Sequence, residues 1–167
     1  MKKFRLLTAA LLVSLSFFAA SCGDDDAGPT NNNNTSGEFV SAKVNGQAFS
    51  SSTMFDAVAA SNPTPSTVVV QGSDNSGKAI QIMIMNFDGE GTYNLSNMTS
   101  GQMLYTVASP FVSYSSAAGE GASGTVEITL VDDTKVEGNF SFTGKKVQEG
   151  ATETVNVTEG SFRANFQ

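Results

Sequence analysis

The feature that most limits the fold is an alternation. In "GTVEITLVDDTKVEGNFSF", Val126, Ile128 and Leu130 alternate with Glu127 and Thr129, and Val136, Phe140 and Phe142 alternate with Glu137, Asn139 and Ser141. Successive side chains of an extended strand point to opposite faces, so a period of two marks strands with one buried face. Two such arms around Asp132, Asp133 and Thr134 predict an antiparallel hairpin. Parity then constrains the connection. Antiparallel partners have residue numbers with a constant sum, so Leu130 and Val136 share a face only if even meets even; this predicts a loop with an odd number of residues, about three or five.

The alternation recurs in "KAIQIMIMNF", where Ile80, Ile82 and Ile84 share a face and Gln81, Met83 and Met85 lie opposite. Both faces are partly apolar, which predicts a central strand or one covered on its second side. Asn45 and Gly46, between "FVSAKV" and "QAFSS", are a strong two-residue hairpin signal. Pro63, Pro65, Gly89, Gly91 and the stretch from Gly119 to Gly124 punctuate the chain as loops. In "ETVNVTEGSFRANFQ" the apolar parity changes between Val155 and Val157 and the later Phe162, Ala164 and Phe166, which predicts a bulge at Glu159 and Gly160. No long window of this region carries the three-and-four spacing of a helix. The sequence therefore reads as all-β, an antiparallel sandwich or barrel of about eight to ten strands, with nothing in it to separate the two.

Upstream of the strands the chain has a different character. Lys2, Lys3 and Arg5 precede a mostly apolar run from Leu6 to Ala20, shorter than the roughly 20 residues that span a bilayer, so residues 1–21 read as a secretory signal peptide. Ala19, Ala20, Ser21 and Cys22 resemble the lipobox of bacterial lipoproteins, although Ala19 stands where that pattern usually has a large aliphatic residue. The resemblance implies cleavage before Cys22 and lipid on its sulfur and new amino terminus. A lone cysteine in a secreted chain has no internal disulfide partner. Asp24, Asp25 and Asp26 resemble the acidic export signal of Bacteroidota lipoproteins displayed on the outer leaflet of the outer membrane; the plainer alternative is a solvated start to a linker. Gly23 to Ser36 hold no large apolar side chain, so residues 22–36 are expected to be a disordered tether spanning roughly 20 Å. Residues 37–167 are then a single all-β domain.

Charge and composition exclude several function classes. Beyond the signal peptide six basic side chains remain against all sixteen acids, a net of −10, which argues against nucleic acid or anionic headgroups as partners. The chain has no histidine, and so lacks the common general base and the usual zinc ligand. Acid–base chemistry would fall to the thirteen carboxylates between Glu38 and Glu159, none of which spacing selects as a facing pair. "SDNSG" at Ser73 to Gly77 and "FDGEG" at Phe87 to Gly91 offer oxygen ligands for calcium, but both are ordinary turn sequences. No cofactor or metal is expected. There is no tryptophan to stack on a sugar; of Tyr93, Tyr105 and Tyr114, the last two flank "TVASPFVS" and are placed on neighbouring strands, where half-buried packing is the ordinary role.

With the strands placed, "FVSAKVNGQAF", "GTYNL", "VEGNFSF" and "VTEGSFRANF" resemble a family of Bacteroidota lipoproteins with an all-β domain of no assigned function. The resemblance covers roughly residues 39–167 and implies an envelope location without supplying catalytic residues. The expected function is a lipid-anchored outer-membrane protein, exposed at the cell surface, whose domain binds a protein or glycan and catalyses nothing. A second reading is a lipocalin-like barrel that carries a small apolar ligand against Met54, Met83, Met85 and Met103; a remote third is a glycan hydrolase built on paired carboxylates.

Overall fold

A computed structural model describes residues 37–53, 58–61 and 66–167. Cys22, Asp24, Asp25, Asp26, the signal peptide, the tether, Met54, Asp56, Pro63 and Pro65 lie outside the described residues. The chain is all-β, as its alternation predicts, and the described residues include no helix. They form twelve strands: β1 (Phe39–Val44), β2 (Gln47–Ser50), β3 (Val58–Ala60), β4 (Thr67–Ser73), β5 (Lys78–Met85), β6 (Gly91–Asn94), β7 (Ser96–Asn97), β8 (Gly101–Ala108), β9 (Phe111–Ser115), β10 (Ser123–Val131), β11 (Lys135–Lys146) and β12 (Thr154–Asn165). The count exceeds the eight to ten expected because β3 and β7 are three and two residues long, too short to show a period.

All twelve join one antiparallel sheet in the order β2-β1-β12-β11-β9-β8-β5-β4-β3, with β10 beside β11 and β6, and β7 beside β8. The sheet curls strongly into a half-barrel, the outcome between the sandwich and the barrel that the sequence left open. A parallel bridge from Ala60 to Phe166, with the Gln167 N–H donating to the Ala60 carbonyl at 3.0 Å, ties the β3 edge to the chain's last residues.

The curl has local causes. In the β11–β12 pair, Gly138 faces Phe162 and Phe140 faces Gly160, each ring lying over the glycine opposite. The two rings meet at 6.2 Å. Missing Cβ atoms let the rings approach the backbone and the strands bend. The predicted bulge follows at once: Phe140 pairs with Gly160 but Phe142 with Val157, and Glu159 takes φ 53° in the left-handed region. The extra residue flips the parity, so Val155 and Val157 before it and Phe162 and Ala164 after it all reach the core.

The β10–β11 hairpin departs from its expected pairing. Three residues, Asp132 to Thr134, separate the strands, an odd number as predicted, but Ile128 pairs with Gly138 and Leu130 with Glu137. A second bulge at Thr129 therefore shifts the register, and Val131, not Leu130, faces Val136 and packs against the core. Leu130 is only half-buried.

β5 is central, between β4 and β8, as its two-sided apolarity predicts. Ile80, Ile82 and Ile84 are fully buried and each contributes roughly 1.5–3 kcal/mol. With Met103, Leu95, Phe142 and Phe162 they fill the concave side of the sheet, leaving open space at its ends.

A candidate ligand cleft at the mouth of the half-barrel

Two hairpin turns frame one end of the sheet. Asn45 and Gly46, at φ 49° and 79°, make the two-residue turn between β1 and β2 that the sequence predicts, and Asn45 Oδ1 accepts from the Asn156 N–H at 2.8 Å. Between β4 and β5, Asp74 folds its own turn: Oδ1 accepts from the Ser76 and Lys78 N–H groups at 2.8 Å each, and the Ser76 hydroxyl lies 2.7 Å from Oδ2. The "SDNSG" segment is thus a side-chain-capped hairpin turn.

Between these turns lies a cleft of about 310 Å³, at the small end of the range for ligand sites. Val44, Phe49, Val107 and Val155 line its apolar side; Asp74, Lys78 and the amides Asn45 and Gln47 line its rim. Tyr105 on β8 and Tyr114 on β9 complete it. They are direct cross-strand partners, placed on neighbouring strands as expected, with rings 6.3 Å apart and 29° from parallel.

The polar groups here are unevenly satisfied. Tyr105 is only 7 % exposed, yet its hydroxyl makes no hydrogen bond among the described residues. No fully buried side-chain oxygen of the described residues lacks a partner, so this hydroxyl opens into the cleft. Burial first, and the charge of Asp74 and the nearness of Tyr114 after it, raise the pKa of Tyr105 above its ordinary value. Asp74 moves the other way. Its partial burial is the largest single influence and opposes ionisation, but the Lys78 and Ser76 hydrogen bonds with the Lys78 charge together outweigh it and lower the pKa.

Among the described cations, Lys43 pairs with Glu159, Lys135 and Arg163 with Glu137, and Lys146 with Glu153, while Lys145 donates to the Glu120 carbonyl. Lys78 differs from these five: its ammonium has neither an ion pair nor a hydrogen bond among the described residues, and it stands at the cleft.

A second, wider depression of about 470 Å³ lies over Met85, Asn86, Tyr93 and Asn97. Most of its polar groups are spent on nearby loop atoms. Asn97 Oδ1 accepts from the Thr99 and Ser100 N–H groups, and the Tyr93 hydroxyl donates to the Gly89 carbonyl at 2.7 Å while accepting from the Asp88 N–H.

The remaining sequence candidates do not converge. Met103 is buried on the core face while Met83 and Met85 lie on the opposite face of the sheet, so the three described methionines of the four expected to line one carrier cavity do not share a face. The first cleft contains Asp74 as its one carboxylate and the second contains none. Glu38 accepts from the Asn165 N–H, Asp132 caps its own turn, and Glu137, Glu153 and Glu159 are engaged in ion pairs. Among the described residues no three Asp, Glu, Cys or His side chains come together as a metal site. What sequence reading missed is the meeting of Lys78 with Tyr105. Its one available signal was the pair of tyrosines on adjoining strands.

The model of a protein family, "Domain of unknown function (DUF6252)", matches residues 33–164. This chain belongs to the DUF6252 family. No curated protein and no solved structure matches it. The DUF6252 match takes in all the strands that build the cleft, from Asn45 through Asp74, Lys78 and Tyr105 to Val155.

Proposed function

We propose that the chain is a lipid-anchored protein of the outer membrane whose DUF6252 domain is a non-enzymatic binding module held at the cell surface. The anchor reading rests on the sequence: Cys22 follows a signal-like segment, and Asp24, Asp25 and Asp26 follow Cys22 as in Bacteroidota surface lipoproteins. A cysteine carrying two or three acyl chains is held stably, where a single chain binds only marginally. The tether would let the domain reorient above the bilayer, and the acidity of the mature chain disfavours nucleic acid as a partner.

The observation that carries the binding reading is the Tyr105 hydroxyl, held in a mostly buried ring without a protein partner at the mouth of a filled half-barrel. Mouths of β-barrels are common ligand sites. A non-enzymatic role is supported by the lack of histidine and by the lone carboxylate of the cleft, which is committed to its own turn.

Two measurements test this. Cys22→Ala should abolish acylation and leave the protein unprocessed or wrongly located; a processed protein retained normally after carbonate washing would refute the anchor. Native mass spectrometry of the gently extracted full chain should show a small-molecule or glycan adduct that disappears on denaturation, whereas a bare mass under every extraction condition would count against a resident ligand.

A further inference from the structure

We propose that the mouth cleft binds a small carboxylate attached to an apolar body, with the acid group on Tyr105, Tyr114 and Lys78 and the body against Phe49, Val107 and Val155. This rests on the binding-module reading and names its ligand class.

The hydrogen-bond inventory of the cleft decides the class. Asp74, its carboxylate, already accepts from two N–H groups and one hydroxyl of its own turn. Asn45 Oδ1 is taken by the Asn156 N–H. The Asp74 carboxylate and the Asn45 carbonyl are thus engaged and the Gln47 amide offers one acceptor beside its donors, whereas the Tyr105 and Tyr114 hydroxyls and the three N–H bonds of the Lys78 ammonium have no acceptor among the described residues, which leaves donors in excess. A surplus of donors selects an acceptor-rich group, and one that pairs with ammonium is anionic. Two phenols on directly paired residues, with near-parallel rings, suit the two oxygens of a carboxylate. Four apolar side chains in the lining, Val107 beside Lys78 among them, exclude a ligand that is polar all round. Volume limits the body to about the size of one ring or a short branched chain.

Asp74 makes the reading sharp. Its charge opposes an anion in the cleft, so removing that charge while keeping Oδ1 as an acceptor for the turn should tighten binding of an acid, weaken binding of an amine, and leave a neutral ligand unchanged.

The test uses the full lipidated chain in phosphatidylcholine nanodiscs, with empty discs subtracted, in equilibrium dialysis against 3-phenylpropionate, 3-phenylpropan-1-ol and 3-phenylpropylamine. These share a body and differ in the head group. The acid should bind roughly tenfold more tightly than the alcohol, and the amine more weakly still. Lys78→Met should weaken the acid roughly tenfold and Tyr105→Phe about fivefold, with unchanged circular dichroism, while neither alters the alcohol by as much. Asp74→Asn should strengthen the acid about threefold, a direction that damage to the fold cannot imitate. Acetylglycylphenylalanine separates two sources of the same chemistry: tighter binding than 3-phenylpropionate identifies a peptide carboxy terminus, weaker binding a free acid. Equal affinity for all three heads, preference for the amine, or weakening by Asp74→Asn overturns the proposal. An adduct on the extracted protein with no binding of any carboxylate overturns the ligand class and leaves the binding module standing; no adduct and no binding removes both.

Discussion

Tyr105 shows how one residue's surroundings fix both its packing and its protonation. Its ring is stacked against Tyr114 and almost wholly buried, while its hydroxyl contributes nothing to the fold through hydrogen bonding. Tyr105→Phe should therefore change stability at neutral pH by no more than about 0.5 kcal/mol. Alkaline conditions should separate the two proteins. The folded pKa of Tyr105 lies above the ordinary 10.0, so below that pH the group is protonated in both folded and unfolded chains and stability is unaffected. As pH rises from there through the folded value, the unfolded chain loses the proton first and stability falls. Melting temperature against pH should drop more steeply above pH 10 for the wild type than for Tyr105→Phe, and parallel curves would show that Tyr105 is not the group responsible.

At the scale of elements, β11 and β12 set the curvature through their exchanged glycine–phenylalanine pairs. A Cβ on Gly138 would stand 2.4 Å from the Glu127 carbonyl oxygen and 2.8 Å from the Phe162 ring. Gly138→Val should cost about 3 kcal/mol or more, read as a shift in the urea midpoint, because neither the β10 backbone nor the core ring can retreat. A loss below about 1 kcal/mol would mean that the sheet bends for other reasons. These strands also show what alternation can and cannot reveal. The bulge at Glu159 was legible because Val155 and Val157 on one parity give way to Phe162 and Ala164 on the other, with no apolar side chain between. The bulge at Thr129 was not, since Leu130 and Val131 offer a large apolar residue on each parity and only the partner strand decides which packs against the core. Likewise the Asn45–Gly46 turn declares itself locally, whereas the two residues of β7 owe their pairing entirely to β8.

At the scale of the whole molecule, the all-β class was readable and the cleft was not. Class follows from period, which each strand carries within itself. The cleft joins Lys78 and Tyr105, on the paired strands β5 and β8, to Asn45 and Val155, which lie several strands away in the sheet, and no local pattern announces a neighbour that distant. The strand order carries a last consequence, one concerned with time. β12 lies between β11 and β1, so Phe39, near the start of the domain, finds its partner only at Arg163. Such non-local pairing is slow to form, and here it cannot begin until nearly the whole sequence has been synthesised. The β1–β12 seam stays open while the chain is made, even as hairpins such as β4–β5 and β10–β11 pair locally. On the proposed export route that delay would help keep the polypeptide threadable through a membrane, with the β1–β12 seam closing only once the last strand had arrived on the far side.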